Sequence, residues 1–239
     1  MTLLSIAQSV LAETGWPVLG AIASNLDATA QQVFALANKE LRATSELYSW
    51  PQLETEYPFA TVATQAVYPM PEDFKIGANH GVFNASEYYS LRGADSLPYW
   101  QLLKYGKLSS LTRQHFKPII VGGIPCIELT PVPVTPANLV LVYFSKDFAL
   151  DNTNVPIPSY AKDDDTSRIP ERVVELGLTW RFRRAKGLDF SAELAEYQST
   201  VAQQFAQQTN YGDIPVGGYR RMYEDIGLYP GYVPENGFG

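Results

Sequence analysis

"LGLTWRFRRAKGLDF", residues 176–190, sets four basic side chains, Arg181, Arg183, Arg184 and Lys186, into six positions and threads Trp180 and Phe182 among them. Two readings compete. Cations interleaved with aromatics suit a nucleic-acid groove, because rings stack on bases and cations meet phosphates. A helix ending here places the same cations where its carbonyl end favours them, by about 0.3–1 kcal/mol each. Helical geometry separates the two. Arg184 lies four residues after Trp180 and seven after Gly177, Arg181 continues the face of Val174 and Leu178, and Arg183 and Lys186 follow Leu176 and Thr179. The charges therefore fan around a helix end and do not line one stripe. Arginine stems also cover apolar surface while their heads reach a carboxylate or water. The spacing predicts a central helix opening at Pro170 and closed by Gly187, with Trp180 and Phe182 as packing residues. Direct nucleic-acid contact by residues 181–186 stands as the alternative.

Outward from this stretch the pattern stays helical. Phe190, Leu194, Tyr197, Val201 and Phe205 repeat in steps of three and four, predicting a last helix over about 189–208 with a narrow, seam-like stripe. At the other end of the chain, Leu3, Leu4, Ala7, Val10 and Leu11 share one face of a helix over 2–14, ended by Gly15. Ser24 and Asp27 form a capping-box pattern for a helix from about 26 to 48. Val33, Ala37, Leu41 and Tyr48 are its stripe, Phe34 and Leu47 lie alongside, and Pro51 stops it.

Between about 59 and 150 the texture is β. "FATVATQAVYPM" is rich in branched and aromatic residues, "NLVLVYFS" is a strand, and "PIIVGGIPCIEL" brackets Gly122–Gly123 as a hairpin does. "PYWQLLKYGKL" reads as a short helix with Trp100, Leu103 and Leu108 inward. "DNTNVPIPSYAKDDDTS" reads as a polar loop whose acidic run is solvated and favours the start of the next helix. The expected fold is α+β: an α-helical bundle (residues 1–58 and 166–209) with an inserted small antiparallel β domain and loops (59–165). An extended tail (210–239) follows. That tail holds seven glycines, three prolines and five tyrosines and cannot build its own core. Tyr211, Tyr219, Tyr223, Tyr229, Tyr232 and Phe238 make it a segment for docking on a partner.

Composition narrows the function. The 239 residues carry a net charge of −7, which opposes adhesion to nucleic acid. The single cysteine, Cys126, precludes an internal disulfide and packs in an apolar strand. No apolar run is long enough for a membrane span, and the N-terminus lacks the pattern of a secretory signal. His80 and His115 have no metal-ligand spacing, and "KDDDTS" lacks the glycine and closing glutamate of a calcium loop. Gly122–Gly123 opens no phosphate loop. The carboxylate pairs Glu171/Glu175 and Glu193/Glu196 read as a solvated face. No catalytic set, cofactor site or metal site is expected, and the chain reads as non-enzymatic.

The order of landmarks resembles a family. The N-terminal helix, "ANKELRATSELYSWPQL" with Trp50 and Leu53, "YPMPEDF", "VYFSKDF" and "LGLTWRFRRAKGLDF" leading into a helix with "AEYQ" are similar in order and spacing to head-to-tail adaptor (connector) proteins of tailed bacteriophages. The resemblance implies a structural virion protein at the head–tail junction, assembled in the host cytoplasm. It implies a ring, typically of twelve copies, beneath the portal protein, with a downstream tail protein below. DNA would pass through the lumen during packaging retention and ejection. In such a ring Arg181, Arg183, Arg184 and Lys186 would make subunit contacts or face the lumen, and the tail would tie the adaptor to the portal. A stopper or tail-tube component further down the tail is the alternative within the same class.

Overall fold

The computed structural model describes residues 1–93, 96–105 and 113–209, leaving aside the side chains of residues 78–80 and 209. Among them are five α-helices, one 3-10 turn and eleven strands in three sheets. The helices are α1 (Leu3–Glu13), α2 (Ala28–Leu47), α3 (Leu97–Tyr105), α4 (Glu171–Ala185) and α5 (Ser191–Thr209). Thr2 caps α1 through its side chain; Leu3, Ala7, Val10 and Leu11 are buried as the spacing predicts, while Ile6 takes the fifth buried place and Leu4 is half-buried. Asp27, not Ser24, is the N-cap of α2: its carboxylate accepts from the Thr29 and Ala30 N–H groups. A carboxylate at this position also meets the positive end of the helix dipole.

A helical bundle with a small β insert is not what forms. The first sheet has the order β1 (Glu54–Ala60), β8 (Asn138–Ser145), β3 (Phe74–Asn84) and β4 (Tyr89–Ser90). The second is β2 (Val67–Pro69), β7 (Ile124–Thr130), β6 (His115–Val121) and β5 (Arg92–Gly93), with β5 parallel to β6. The third is β10 (Pro156–Ile157), β9 (Ala149–Leu150) and β11 (Thr166–Ser167), of which β10 and β11 lie in the segment read as a polar loop. Its strands have two residues each, too short to show an alternation in sequence. α1, α2 and α5 each pack on α4, which is buried on several sides through Val173, Val174, Leu176, Leu178 and Phe182.

Two hydrophobic cores result. The first joins α1, α2, α4 and α5 to Phe148, Ala149, Ile157 and Tyr160 from the third sheet and its flanks. The second lies between the two larger sheets and holds Tyr68, Val82, Leu91, Ile127, Leu129, Leu139 and Leu141. Trp100 and Leu103 of α3 turn inward; Leu108 lies outside the described residues.

In the acidic run at 163–165, Asp163 and Asp165 are structural, while Asp164 is exposed. Asp163 Oδ1 accepts from the Ile22 and Ala23 N–H groups at 2.9 and 2.8 Å. Asp165, fully buried, accepts from Ala161 and Lys162 N–H. The backbone carbonyls of Asp165 and Asp163 receive the N–H groups of Leu3 and Leu4, two of the donors that the first turn of a helix leaves unpaired. The run therefore secures the start of α1, not that of α4. No helix among the described residues is long and apolar enough to cross a membrane.

Candidate interaction site

The stretch 176–190 lies at the crossing of α2, α4 and α5. Gly177 is there because of Glu40. A Cβ built on Gly177 would overlap Oε1 and Cδ of Glu40 and lie 2.6 Å from its Cγ, against the 3.5–4.0 Å of an ordinary carbon contact. Glu40 has no exposed surface, and Arg181, one turn beyond Gly177 on α4, supplies its counter-charge through Nε. Thr44 Oγ1 donates to Glu40 Oε1 at 2.6 Å. With that one proton committed, the Tyr197 hydroxyl of α5 donates to Thr44 Oγ1 at 3.0 Å. Burial, then the Glu40 charge, pushes the Tyr197 hydroxyl pKa well above its ordinary value. The Arg181 guanidinium stacks 4.4 Å from the Trp180 ring centre. A buried carboxylate, held directly from α2 and α4 and through Thr44 from α5, thus sets the register of the crossing.

The other three cations diverge. Arg183 pairs with Glu193 of α5 at 3.2 Å and donates from Nε to the Asp189 carbonyl at 2.8 Å, bracing the turn between α4 and α5. Lys186 lies 4.3 Å from the Trp16 ring centre and 5.2 Å from that of Phe182, holding the linker after α1. Arg184 is exposed and lines a cleft of about 300 Å³ with Lys39, Leu36 and Trp180. The fan expected from helical geometry is present: one strand of sequence sends its charges to α2, to α5, to the linker and to solvent. Gly187, at φ +72°, ends α4.

Of the carboxylates expected on a solvated face, Glu171 and Glu196 are exposed while Glu175 and Glu193 are largely covered, and all four are ion-paired. Glu175 accepts from Ser9 Oγ of α1 at 2.5 Å and pairs with Arg172, which also reaches Glu196 at 2.8 Å. Glu171 meets the amino group of Met1, and Glu193 belongs to Arg183. The seam-like stripe of α5 faces the chain's own core. Tyr197 and Val201 are buried, and Phe205 stacks on Tyr48 at 4.4 Å. Leu47, expected beside the α2 stripe, is 58 % exposed.

His115 is buried in β6 with Nδ1 2.8 Å from the Arg113 carbonyl; the His80 side chain lies outside the description. Cys126 is buried in β7. Among the described residues no group of three or more His, Cys, Asp or Glu could hold a metal ion. Tyr211, Tyr219, Tyr223, Tyr229, Tyr232 and Phe238 all lie outside the described residues.

The sequence reading missed Glu40, the residue that organises the crossing. A signal was present. Glu40 falls three residues after Ala37 and seven after Val33, on the buried stripe of α2, where a charge requires a partner. Gly177 and Arg181, four apart on an apolar helix, supply the space and the charge.

No curated protein matches the chain. A family model described as "SU10 adaptor protein" matches residues 1–221, from the first residue through every helix and strand described above. The chain therefore belongs to the SU10 adaptor protein family, in keeping with its resemblance to phage head-to-tail adaptors, and is a structural adaptor component of a phage virion.

Proposed function

We propose that the chain is the subunit of a ring at the head–tail junction, coaxial with the portal protein, through whose lumen DNA passes during packaging retention and ejection. The observation that carries the reading is the family match over residues 1–221. The crossing of α2, α4 and α5 adds a physical reason. Three of the four cations in 181–186 are engaged within the subunit, by Glu40, by Glu193 and by Trp16. A stripe free to grip phosphates does not remain, and the net charge of −7 lets DNA slide past. In this reading the cluster works as a brace that keeps each subunit rigid, and Arg184 is the member left for a neighbouring subunit or the lumen. The chain acts as a scaffold without catalysis.

Residues 210–239 are the portal-docking segment of this proposal, with Tyr211, Tyr219, Tyr223, Tyr229, Tyr232 and Phe238 as its anchors. The opposite face of the ring receives the downstream tail protein. Negative-stain microscopy of particles lacking the chain tests the place: DNA-filled heads without tails are expected, and complete heads with shortened tails would refute it. Deleting 210–239 should leave the melting transition in place and weaken binding to isolated portal rings; equal binding would remove the docking role. Binding of short duplex by the isolated chain at low salt, lost when Arg184 and Lys186 become alanine, would favour the nucleic-acid alternative instead.

A further inference from the structure

The β6–β7 hairpin ends in an apolar tip. From Pro118 to Pro125 the sequence PIIVGGIP carries no charge. Ile120 is 77 % exposed, Val121 51 % and Ile124 56 %. Gly122 and Gly123, at φ +59° and +84°, make the tight turn that fits the twist of a two-residue hairpin. The tip projects past its sheet. Among the described residues β5 pairs with β6 only at His115 and Phe116, and the cover on β7 stops at Pro125, whose carbonyl accepts from the Met70 N–H next to β2. Both edges of such a finger are normally open to a further strand. Here they are closed to it. Val121 and Ile124 flank the turn as a hydrogen-bonded pair, so Ile120↔Pro125 and Pro118↔Ile127 are the pairs whose backbone groups point outward. Proline stands at one outward position on each strand and removes the donor there. A partner therefore takes this tip through its side chains, not by strand addition.

A recess of about 570 Å³ lies elsewhere on the same chain, between the end of α2 and the middle of α5. Leu47, Tyr48, Leu194 and Val201 give it an apolar wall, with Glu46 and Arg181 also in its lining and Leu47 exposed at its lip. The recess belongs to the first core and the hairpin to the second sheet, whose inner face belongs to the second core. We propose that the β6–β7 tip of one copy seats in the α2–α5 recess of the next. An apolar projection and a recess with an apolar wall on one chain are what a heterologous contact needs, and such contacts close into rings when the rotation between copies permits. Two copies each at −7 repel one another, and an uncharged plug adds burial without adding to that repulsion. This rests on the ring reading above and names the contact within it.

The test uses the full chain in three forms: wild type, Ile120→Asp/Ile124→Asp, and Leu47→Asp. All three positions are exposed, so melting should be unchanged. Sedimentation velocity at rising concentration, alone and with isolated portal rings, should show wild-type assembly and, for either variant, association weaker by on the order of 100-fold, about 2.7 kcal/mol. Mixing the two variants should give pairs that stop at two, because one intact tip and one intact recess remain. Independently, Leu47→Cys/Ile124→Cys should form a disulfide-linked ladder on mild oxidation, the native Cys126 being buried. Wild type that assembles while both variants assemble equally well, or a disulfide confined within single chains, overturns the inference and leaves the ring standing. Tip variants that still form rings but lose the portal assign the tip to the portal and overturn it too. Wild type that never associates, even on the portal, overturns the ring reading and this contact together.

Discussion

Gly177→Ala should be the most damaging single-methyl change in the chain. A Cβ at 177 occupies the space of the Glu40 carboxyl, so either α4 moves away from α2 or Glu40 turns aside. The first overpacks a close helix contact, at about 1–3 kcal/mol. The second separates a fully buried carboxylate from Arg181 and Thr44, and breaking a buried pair costs about 3–5 kcal/mol. Alanine returns about 1 kcal/mol through its better helix propensity. The net loss is about 3 kcal/mol, which in a chain of 239 residues lowers Tm by roughly 6–12 °C. Urea unfolding followed by circular dichroism measures it. The decisive comparison is the same change in a Glu40→Ala background. With the carboxylate gone the new methyl has room, and Gly177→Ala should be neutral or stabilising by up to about 1 kcal/mol. If Gly177→Ala costs the same in both backgrounds to within about 0.5 kcal/mol, the two sites are independent and the account of the crossing is wrong.

Three further outcomes are expected. Asp163→Ala should lose about 3 kcal/mol in urea unfolding by orphaning the Ile22 and Ala23 N–H groups, while Asp163→Asn, which keeps an acceptor, should lose less than half as much. Burial raises the Tyr143, Tyr160 and Tyr197 hydroxyls above the ordinary pKa of 10.0, so each binds its proton more tightly folded than unfolded. Their contribution is whole below pH 10 and is lost as pH rises toward the folded values; tyrosinate absorbance should show these three ionising with unfolding and not before it. Arg183→Ala frees Glu193 and the Asp189 carbonyl at a partly exposed pair, so it should cost about 1 kcal/mol or less, well under the loss from Arg181→Ala, which strands Glu40; equal losses in thermal melts would contradict the difference in burial.

Elements with many periodic residues were legible in the sequence, and those built from long-range partners were not. α1, α2, α4 and α5 each repeat an apolar face over eleven or more residues, and each stands close to where its spacing puts it. The Gly122–Gly123 hairpin was legible because a turn with positive φ at both central residues leaves little choice but glycine. β9, β10 and β11 gave no such signal. Two residues cannot alternate, and what makes them strands is a register with one another across as many as eighteen positions of sequence. For the same reason "KDDDTS" looked solvated. The amides that Asp163 holds are about 140 residues away, so its role exists only once the chain has folded.

The basic run shows where the two kinds of information meet. Helical spacing alone stated that Arg181, Arg183, Arg184 and Lys186 diverge, which was enough to argue against a phosphate-gripping stripe. It did not say to what they diverge, because Glu40, Glu193 and Trp16 come from three other segments. Charge balance could have supplied the first partner. A glutamate on a buried helical stripe must find a cation or move its pKa far from the ordinary value, and a largely covered cation, Arg181, stands beside the one glycine that interrupts the apolar surface of α4. A glycine flanked at i+4 by arginine on an otherwise apolar helix therefore marks a place where another helix brings in a carboxylate. That inference needs two segments compared at once, and periodicity examines one at a time.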